Sequence, residues 1–364
     1  MQSHQTKCLA ILLVTILPLL LPPAWATTNE PRWTRLMLQG YDSNDVRYYL
    51  AAVNLAEKYG SGDPRLHLAL CSAADKCRFA DSRLAEKLLK RDIAELEKLD
   101  VNFPEIVYDC YELARIFEWQ GRYAEAESVL LRALSIRKKW QDISSDNPFN
   151  AELLACLYLI YYSRGETNKA NETEVRALNA VQQMRNELTR GHCLSSLEYL
   201  VRSYACVCKR LSPAQAKHLI ETALGFSDRA VYYFRKHDAL YDLAGQLNGS
   251  TRDALELGDD KKAERMTRES LKLAFADFDN MQEIPWIATS MLCQIVCKDG
   301  RYHEADQLHR NYLSALARLY GSSSPKYADR LNQIAIFWEG QHQSGLAAKY
   351  RKEEKLVTER LGKK

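Results

Sequence analysis

Apolar residues recur at intervals of three and four through residues 104–136, in two runs with a glycine between them. Side chains at this spacing share one face of a helix, so each run predicts an amphipathic helix. Gly121 separates the runs, and glycine reaches the positive φ of a helix end without steric cost. The pattern therefore predicts a helical hairpin. Its inward positions are Val107, Cys110, Leu113, Ala114 and Phe117 in the first helix, and Ala126, Leu130, Ala133 and Leu134 in the second.

The hairpin pattern returns along the chain with a period of about 42 residues. A small residue marks the second helix of each copy, and two copies share the sequence Gly-Arg-Tyr-x-Glu-Ala, at residues 121–126 and 300–305. The small residues are Ala85, Ala126, Ala170, Ala216, Ala263, Ala305 and Ala347. A single hairpin cannot bury its apolar face, so neighbouring copies must stack. We expect an all-α fold of about seven stacked hairpins over residues 43–364.

The hairpin at residues 104–136 resembles a tetratricopeptide (TPR) repeat, whose usual length is about 34 residues. The matching positions are Leu113–Ala114, Phe117, Gly121, Tyr123, Ala126, Leu130 and Ala133–Leu134. The longer period, together with joints such as Gly60 to Pro64 and Gly321 to Pro325, is similar to the kinesin-light-chain variety of TPR. This resemblance implies a right-handed α-solenoid. The charged final helix, Ala347 to Gly362, suits a capping helix beyond which nothing stacks.

Two local features predict details of the array. Ser43 is the expected N-cap of a helix over Asn44 to Tyr59. In the fifth hairpin, Gly249-Ser250 stands where large apolar residues are expected, which predicts a kink or a local gap.

The first residues predict export. An apolar run from Cys8 to Leu21 is followed by Ala24-Trp25-Ala26, the small-residue pattern of a signal-peptide cleavage site. We expect a signal peptide at residues 1–26, a tether or leading segment at 27–42, and a periplasmic or extracellular protein without a membrane span after cleavage. An uncleaved N-terminal anchor is the alternative.

The composition bears on the class of partner and on the state of the cysteines. The 50 basic and 47 acidic residues give a net charge of +3, so no excess charge favours nucleic acid as a partner. Of ten cysteines, Cys8 would leave with the signal peptide. Cys110 and Cys293 take apolar or small-residue positions of the repeat, which predicts packed free thiols, with disulfides as the alternative.

No catalytic motif is present, and the sequence predicts no cofactor and no metal site. The nucleophile-elbow, zinc-protease, P-loop and dinucleotide-binding patterns are all absent. Single histidines are expected to be surface or satisfied core residues; these are His67, His192, His218, His237 and His342.

The TPR resemblance implies that the first helices line a concave groove that binds a protein or peptide. The candidate groove residues are Tyr108, Tyr111, Arg115, Trp119, Tyr162, Asn248, Arg252, Gln294 and Asn332, with Glu118 and Glu198 at neighbouring positions. Aromatic and arginine side chains dominate binding hot spots, although the tyrosines could instead pack between repeats. The carboxylate clamp of chaperone adaptors is absent, and the asparagine ladder of kinesin light chains is reduced to Asn248 and Asn332.

We therefore expect a non-catalytic scaffold for a protein or peptide partner. A peptide-sensing module that changes curvature on binding is one alternative. An enzyme with a reactive cysteine is the other.

Overall fold

A computed structural model describes residues 31–60, 62–98, 104–139, 148–281 and 283–362. The expected signal peptide at residues 1–26 lies outside these ranges. The segment expected to be a tether or leading helix includes a helix that begins at Pro31.

Within the described ranges the chain forms sixteen α-helices and one short 3₁₀ turn, at Glu57–Tyr59. The first six helices are α1 (Pro31–Ser43), α2 (Val46–Ala56), α3 (Pro64–Cys77), α4 (Ser82–Glu97), α5 (Pro104–Gln120) and α6 (Tyr123–Lys138). The other ten are α7 (Phe149–Ser163), α8 (Thr167–Gln182), α9 (Glu187–Val207), α10 (Pro213–Lys236), α11 (Leu240–Glu256), α12 (Asp260–Ala276), α13 (Glu283–Lys298), α14 (Tyr302–Tyr320), α15 (Pro325–Gly340) and α16 (Ser344–Leu361).

The chain divides into two compact units, residues 1–143 and residues 144–364. In the first unit each helix from α1 to α6 packs on the next one along the chain, and the same holds from α9 to α16 in the second. Helix α7 packs on both α8 and α9. This sequential packing confirms the predicted all-α fold of stacked helical hairpins, within each unit.

The turns inside the hairpins follow the predicted glycines. Gly121, Gly165, Gly258 and Gly300 each have a φ between 73° and 78°, a backbone conformation that glycine adopts without strain. The turn of the last hairpin, between α15 and α16, has no glycine at this position, and His342 takes the same conformation there with a φ of 55°. The proline joints are also confirmed, because α3 begins at Pro64 and α15 at Pro325.

Five of the seven predicted alanines are fully buried, and Ala347 is 5% exposed. Ala216, in contrast, lies at a partly exposed position of α10, so its assignment to the close-packed position is wrong. Helix α10 has 24 residues and pairs with the 21-residue α9. The close contact between these two long helices therefore lies further along α10 than Ala216. There the fully buried small residues are Ala223, Ser227 and Ala230.

Two other local predictions are wrong. Ser43 is the last residue of α1, and Asp45 caps α2 by accepting a hydrogen bond from the Arg47 amide. Helix α11 runs without a break through Gly249-Ser250. The Ser250 hydroxyl bonds both Ser227 of α10 and the Gln246 carbonyl, so hydrogen bonds replace apolar packing at this point.

Candidate functional site

Two successive first helices of the first unit, α3 and α5, end at a cluster of aromatic rings and guanidinium groups. The Phe79 ring, just beyond α3, stacks on Trp119 near the end of α5, with 4.9 Å between ring centroids. The Arg115 guanidinium lies 5.3 Å from the Trp119 centroid and 5.6 Å from the Tyr111 centroid. Phe79 is 64% exposed. We refer to Phe79, Tyr111, Arg115 and Trp119 as the aromatic–arginine cluster.

Carboxylates on the same helices balance the positive charge of this cluster. Glu112 pairs with Arg78 at 2.5 Å and with Arg115 at 3.8 Å. Asp75 pairs with Arg78 at 3.3 Å, and the Arg78 guanidinium also lies 4.9 Å from the Phe79 centroid. Because the guanidinium groups are held by carboxylates, the exposed character of the cluster is mainly aromatic.

The structure thus brings together Tyr111, Arg115 and Trp119, and it adds Phe79, which the repeat pattern did not predict. Tyr108 lies half-buried on α5, and burial raises the pKa of its hydroxyl well above the ordinary value. Glu118 was expected beside the groove but is buried, and burial raises its pKa to about 8.

A second group of predicted residues forms a buried polar cluster in the second unit, between α9 and α11. Arg202 pairs with Glu198 at 2.7 Å and with Asp253 at 3.3 Å. Asn248 is 2% exposed, so the prediction that it lies on a ligand-facing surface is wrong. Burial lowers the pKa of the half-buried Arg252, and the nearby Arg202 charge lowers it further.

The other predicted residues of the second unit lie apart in the fold. Tyr162 stacks on His218 at 5.5 Å and donates a hydrogen bond to the Gln215 carbonyl at 3.4 Å, so it packs between helices. Gln294 is exposed on α13. The Asn332 side chain accepts a hydrogen bond from Arg351.

One cluster of the first unit, which the sequence did not predict, brings a histidine and two aspartates together. His67 of α3, Asp92 of α4 and Asp109 of α5 bring their side-chain ligand atoms within 4.8 Å of one another. Burial lowers the pKa of His67, but its hydrogen bond to Asp92 and the charges of both carboxylates outweigh burial and raise the pKa to about 9. The sequence signal was an aspartate inside an apolar stripe: Asp109 stands between Ile106 and Leu113.

The nine cysteines of the described residues are all free. Seven are buried; Cys206 is exposed and Cys208 is partly exposed. Burial raises the pKa of the Cys77 and Cys297 thiols to about 11 and that of Cys110 to about 12. Seven of the nine cysteines are thus packed in the interior, as predicted. Reactive thiolates, in contrast, require a lowered pKa.

No family model matches this chain, and comparison with curated proteins finds no match. Among solved structures, the chain is similar to BtubC from P. vanneervenii, with 18% identity and a TM-score of 0.44 over 64% of this chain and 90% of that one. The apo form of RapI is 13% identical, with a TM-score of 0.44 over 92% of this chain and 98% of that one. A signal-transduction ATPase with a tetratricopeptide repeat sensor from Pyrococcus horikoshii is 17% identical, with a TM-score of 0.37 over 87% and 53%.

In the described ranges, no helix combines the length and the apolar character that crossing a membrane requires. The hairpins repeat with buried small residues in their second helices and, in four of them, a positive-φ glycine at the turn. Within each unit, the fold of the described residues is that of stacked TPR-type helical hairpins.

Proposed function

We propose that this protein is an exported, non-catalytic scaffold that binds a segment of a partner protein at the aromatic–arginine cluster. The observation that carries the proposal is the Phe79–Trp119 stack, with Phe79 64% exposed at the ends of two first helices. An exposed phenylalanine costs solvation free energy unless a partner covers it. Trp, Tyr and Arg are also the residue types that contribute most to binding free energy.

The chemistry of the cluster favours an aromatic or aliphatic anchor side chain on the partner. The Arg78 and Arg115 charges are already balanced by Asp75 and Glu112. A carboxylate on the partner would therefore gain little beyond these pairs. An apolar side chain of the partner would pack on the Phe79–Trp119 stack. It would also contact the Arg115 guanidinium beside that stack.

Two further observations support the remaining parts of the proposal. The apolar run from Cys8 to Leu21 with Ala24 and Ala26 after it favours export. The raised pKa values of the buried thiols oppose a cysteine-dependent enzyme. Cell fractionation and N-terminal sequencing of the mature chain would test export, which is contradicted if the chain stays in the cytoplasm with residues 1–26 intact.

The binding test places a photo-crosslinking amino acid at position 79 and, as a matched control, at position 232. Tyr232 is 60% exposed, on the second helix α10. The segment crosslinked from position 79 is identified by mass spectrometry, made as a synthetic peptide, and titrated against the purified protein while tryptophan fluorescence is followed.

We expect Phe79→Ala to weaken binding of this peptide by tenfold or more, about 1.4 kcal/mol, and Tyr232→Ala to leave it unchanged. Phe79 is mostly exposed, so the variant should keep the wild-type unfolding temperature. The proposal is wrong if both positions crosslink the same segments, or if Phe79→Ala binds the peptide as tightly as wild type.

A further inference from the structure

Three helices of two successive hairpins converge on a buried group of nitrogen and oxygen donors. His67 Nδ1 lies 2.8 Å from Asp92 Oδ2 and 4.0 Å from Asp109 Oδ2. Both aspartate side chains are fully buried, and the His67 side chain is 15% exposed. The donors come from α3, α4 and α5, so any ligand held between them would join these helices.

The oxygens of this group lack the hydrogen bonds that buried carboxylates require. No N–H or hydroxyl donor of the described residues reaches either side-chain oxygen of Asp109 or Asp92 Oδ1. The Asp92 and Asp109 carboxyl groups instead lie within hydrogen-bonding reach of each other. The ion pairs that Asp92 and Asp109 form within the described part of the chain are both with His67. A buried polar oxygen without a donor costs about 1–3 kcal/mol, and more when it is charged. A bound cation, or a proton shared by the two carboxyl groups, would balance these oxygens.

A further carboxylate, that of Glu105, lies on the same face of α5 as Asp109, which it precedes by four residues. Glu105 Oε2 is buried and has no hydrogen-bond partner. The Glu105 charge also acts on the pKa values of His67 and Asp109.

We propose that His67, Asp92 and Asp109 bind one divalent transition-metal cation, Zn²⁺ or Mn²⁺, that joins α3, α4 and α5. An imidazole nitrogen with carboxylate oxygens is a donor set that suits these ions, whereas Mg²⁺ and Ca²⁺ prefer oxygen donors alone. The cation would supply the positive charge that the buried oxygens lack. This site is independent of the proposed partner-binding function, and the cation would stabilise the first unit.

The experiment uses the full chain, dialysed against a chelator and then against metal-free buffer. Zn²⁺ or Mn²⁺ is titrated by calorimetry, and thermal unfolding is followed with and without each ion. Co²⁺ serves as a spectroscopic probe, because its visible absorption bands shift and strengthen when protein ligands replace its water ligands. The test variants are Asp109→Asn and His67→Gln. The matched control is Asp75→Asn, a partly buried carboxylate of α3 that pairs with Arg78 instead.

For wild type and Asp75→Asn we expect one ion per chain and a higher unfolding temperature with metal. For Asp109→Asn and His67→Gln we expect at least tenfold weaker binding and a loss of the metal-dependent temperature shift. Without metal, Asp109→Asn should be at least as stable as wild type, because it removes an unpartnered buried carboxylate, and this measurement shows that the variant folds.

The proposal is overturned if wild type shows neither stoichiometric binding nor a change in the cobalt absorption bands. It is also overturned if Asp109→Asn binds the ions as tightly as wild type. The first result would mean that the carboxyl groups of Asp92 and Asp109 share a proton in place of a metal ion, and the second that the ion binds elsewhere.

Discussion

His309 lies on α14 among four aromatic rings, those of Trp286, Phe337, Trp338 and Tyr350. Its side chain is 1% exposed, and Nδ1 has no hydrogen-bond partner. Burial lowers its pKa to about 4, although the nearby Asp306 charge opposes the shift. The folded protein therefore holds the neutral imidazole, whereas the unfolded chain protonates near the ordinary value of 6.5.

This difference predicts that the second unit loses stability in acid. The stabilisation is present above the unfolded pKa of 6.5 and is lost as the pH falls towards 4, by about 2–3 kcal/mol at most. His309→Leu should remove this part of the pH dependence. His303→Leu on the same helix is the control, because His303 is exposed. Urea unfolding at pH 7, 5.5 and 4 would measure the effect. The prediction is contradicted if the free energy of unfolding falls equally with pH in wild type and in His309→Leu.

At the residue scale, repeat position predicted which side chains lie on the first helices but not how deep each one lies. Tyr111, Arg115 and Trp119 meet at a partly exposed face, whereas Asn248 and Glu118, which were also expected beside the groove, are buried. Depth depends on how the next hairpin crosses the helix. That crossing depends on side-chain volumes in another helix, so register within one helix does not determine it.

At the element scale, the shared sequence Gly-Arg-Tyr-x-Glu-Ala has a physical explanation in both copies. Arg122 pairs with Glu125 in its own hairpin and with Glu86 in the preceding one, both at 2.6 Å. Arg301 repeats the arrangement, with Glu304 at 3.2 Å and Glu264 at 2.8 Å. The arginine therefore links each of these hairpins to the one before it, and the glutamate of the motif orients the arginine.

We expect Arg301→Met to lower the free energy of unfolding by less than about 1 kcal/mol, because the pairs are partly exposed. The loss should shrink at high salt, which screens exposed charges. Urea unfolding at low and high salt measures both effects. The control is Arg265→Met, which removes an exposed arginine from α12, the helix that carries Glu264. A loss that is independent of salt would show that Arg301 contributes packing, not charge.

The long pair α9–α10 depends on a glycine for its close contact. A Cβ atom at Gly191 would lie 2.9 Å from the Phe234 ring and 3.2 Å from Tyr233 Cβ. Gly225 on α10 is exposed and has open space around its Cβ position. The two helical glycines thus differ in packing.

We expect Gly191→Ala to destabilise the protein by about 1–3 kcal/mol through overpacking. Gly225→Ala should stabilise it by up to about 1 kcal/mol, because alanine has the higher helix propensity. Thermal unfolding of both variants measures the contrast. If Gly191→Ala matched Gly225→Ala, the helices could separate without cost and the glycine would have no packing role.

At the scale of the whole molecule, the fold followed from the sequence because helical contacts are local and the hairpin repeats. Periodicity and turn glycines predicted most of the pairs from α3 to α16. The fourth hairpin was misassigned at Ala216 because both of its helices are longer than in the other repeats. The histidine–aspartate cluster was missed for a different reason. Its residues come from three helices, and only the packing of those helices makes them neighbours.

The buried thiols described above have a practical consequence for measuring how this molecule opens. They lie on α3, α5, α7, α9 and α13, so both units carry them. A thiol that is buried and protonated reacts with iodoacetamide only when its own helix detaches. We expect Cys206 to be alkylated first and each buried cysteine to follow at the opening rate of its hairpin, as mass spectrometry of labelled peptides would show. A buried cysteine that reacts as fast as Cys206 would contradict this. The native cysteines therefore report the rate of local opening of each helix, and no cysteine has to be introduced by mutation.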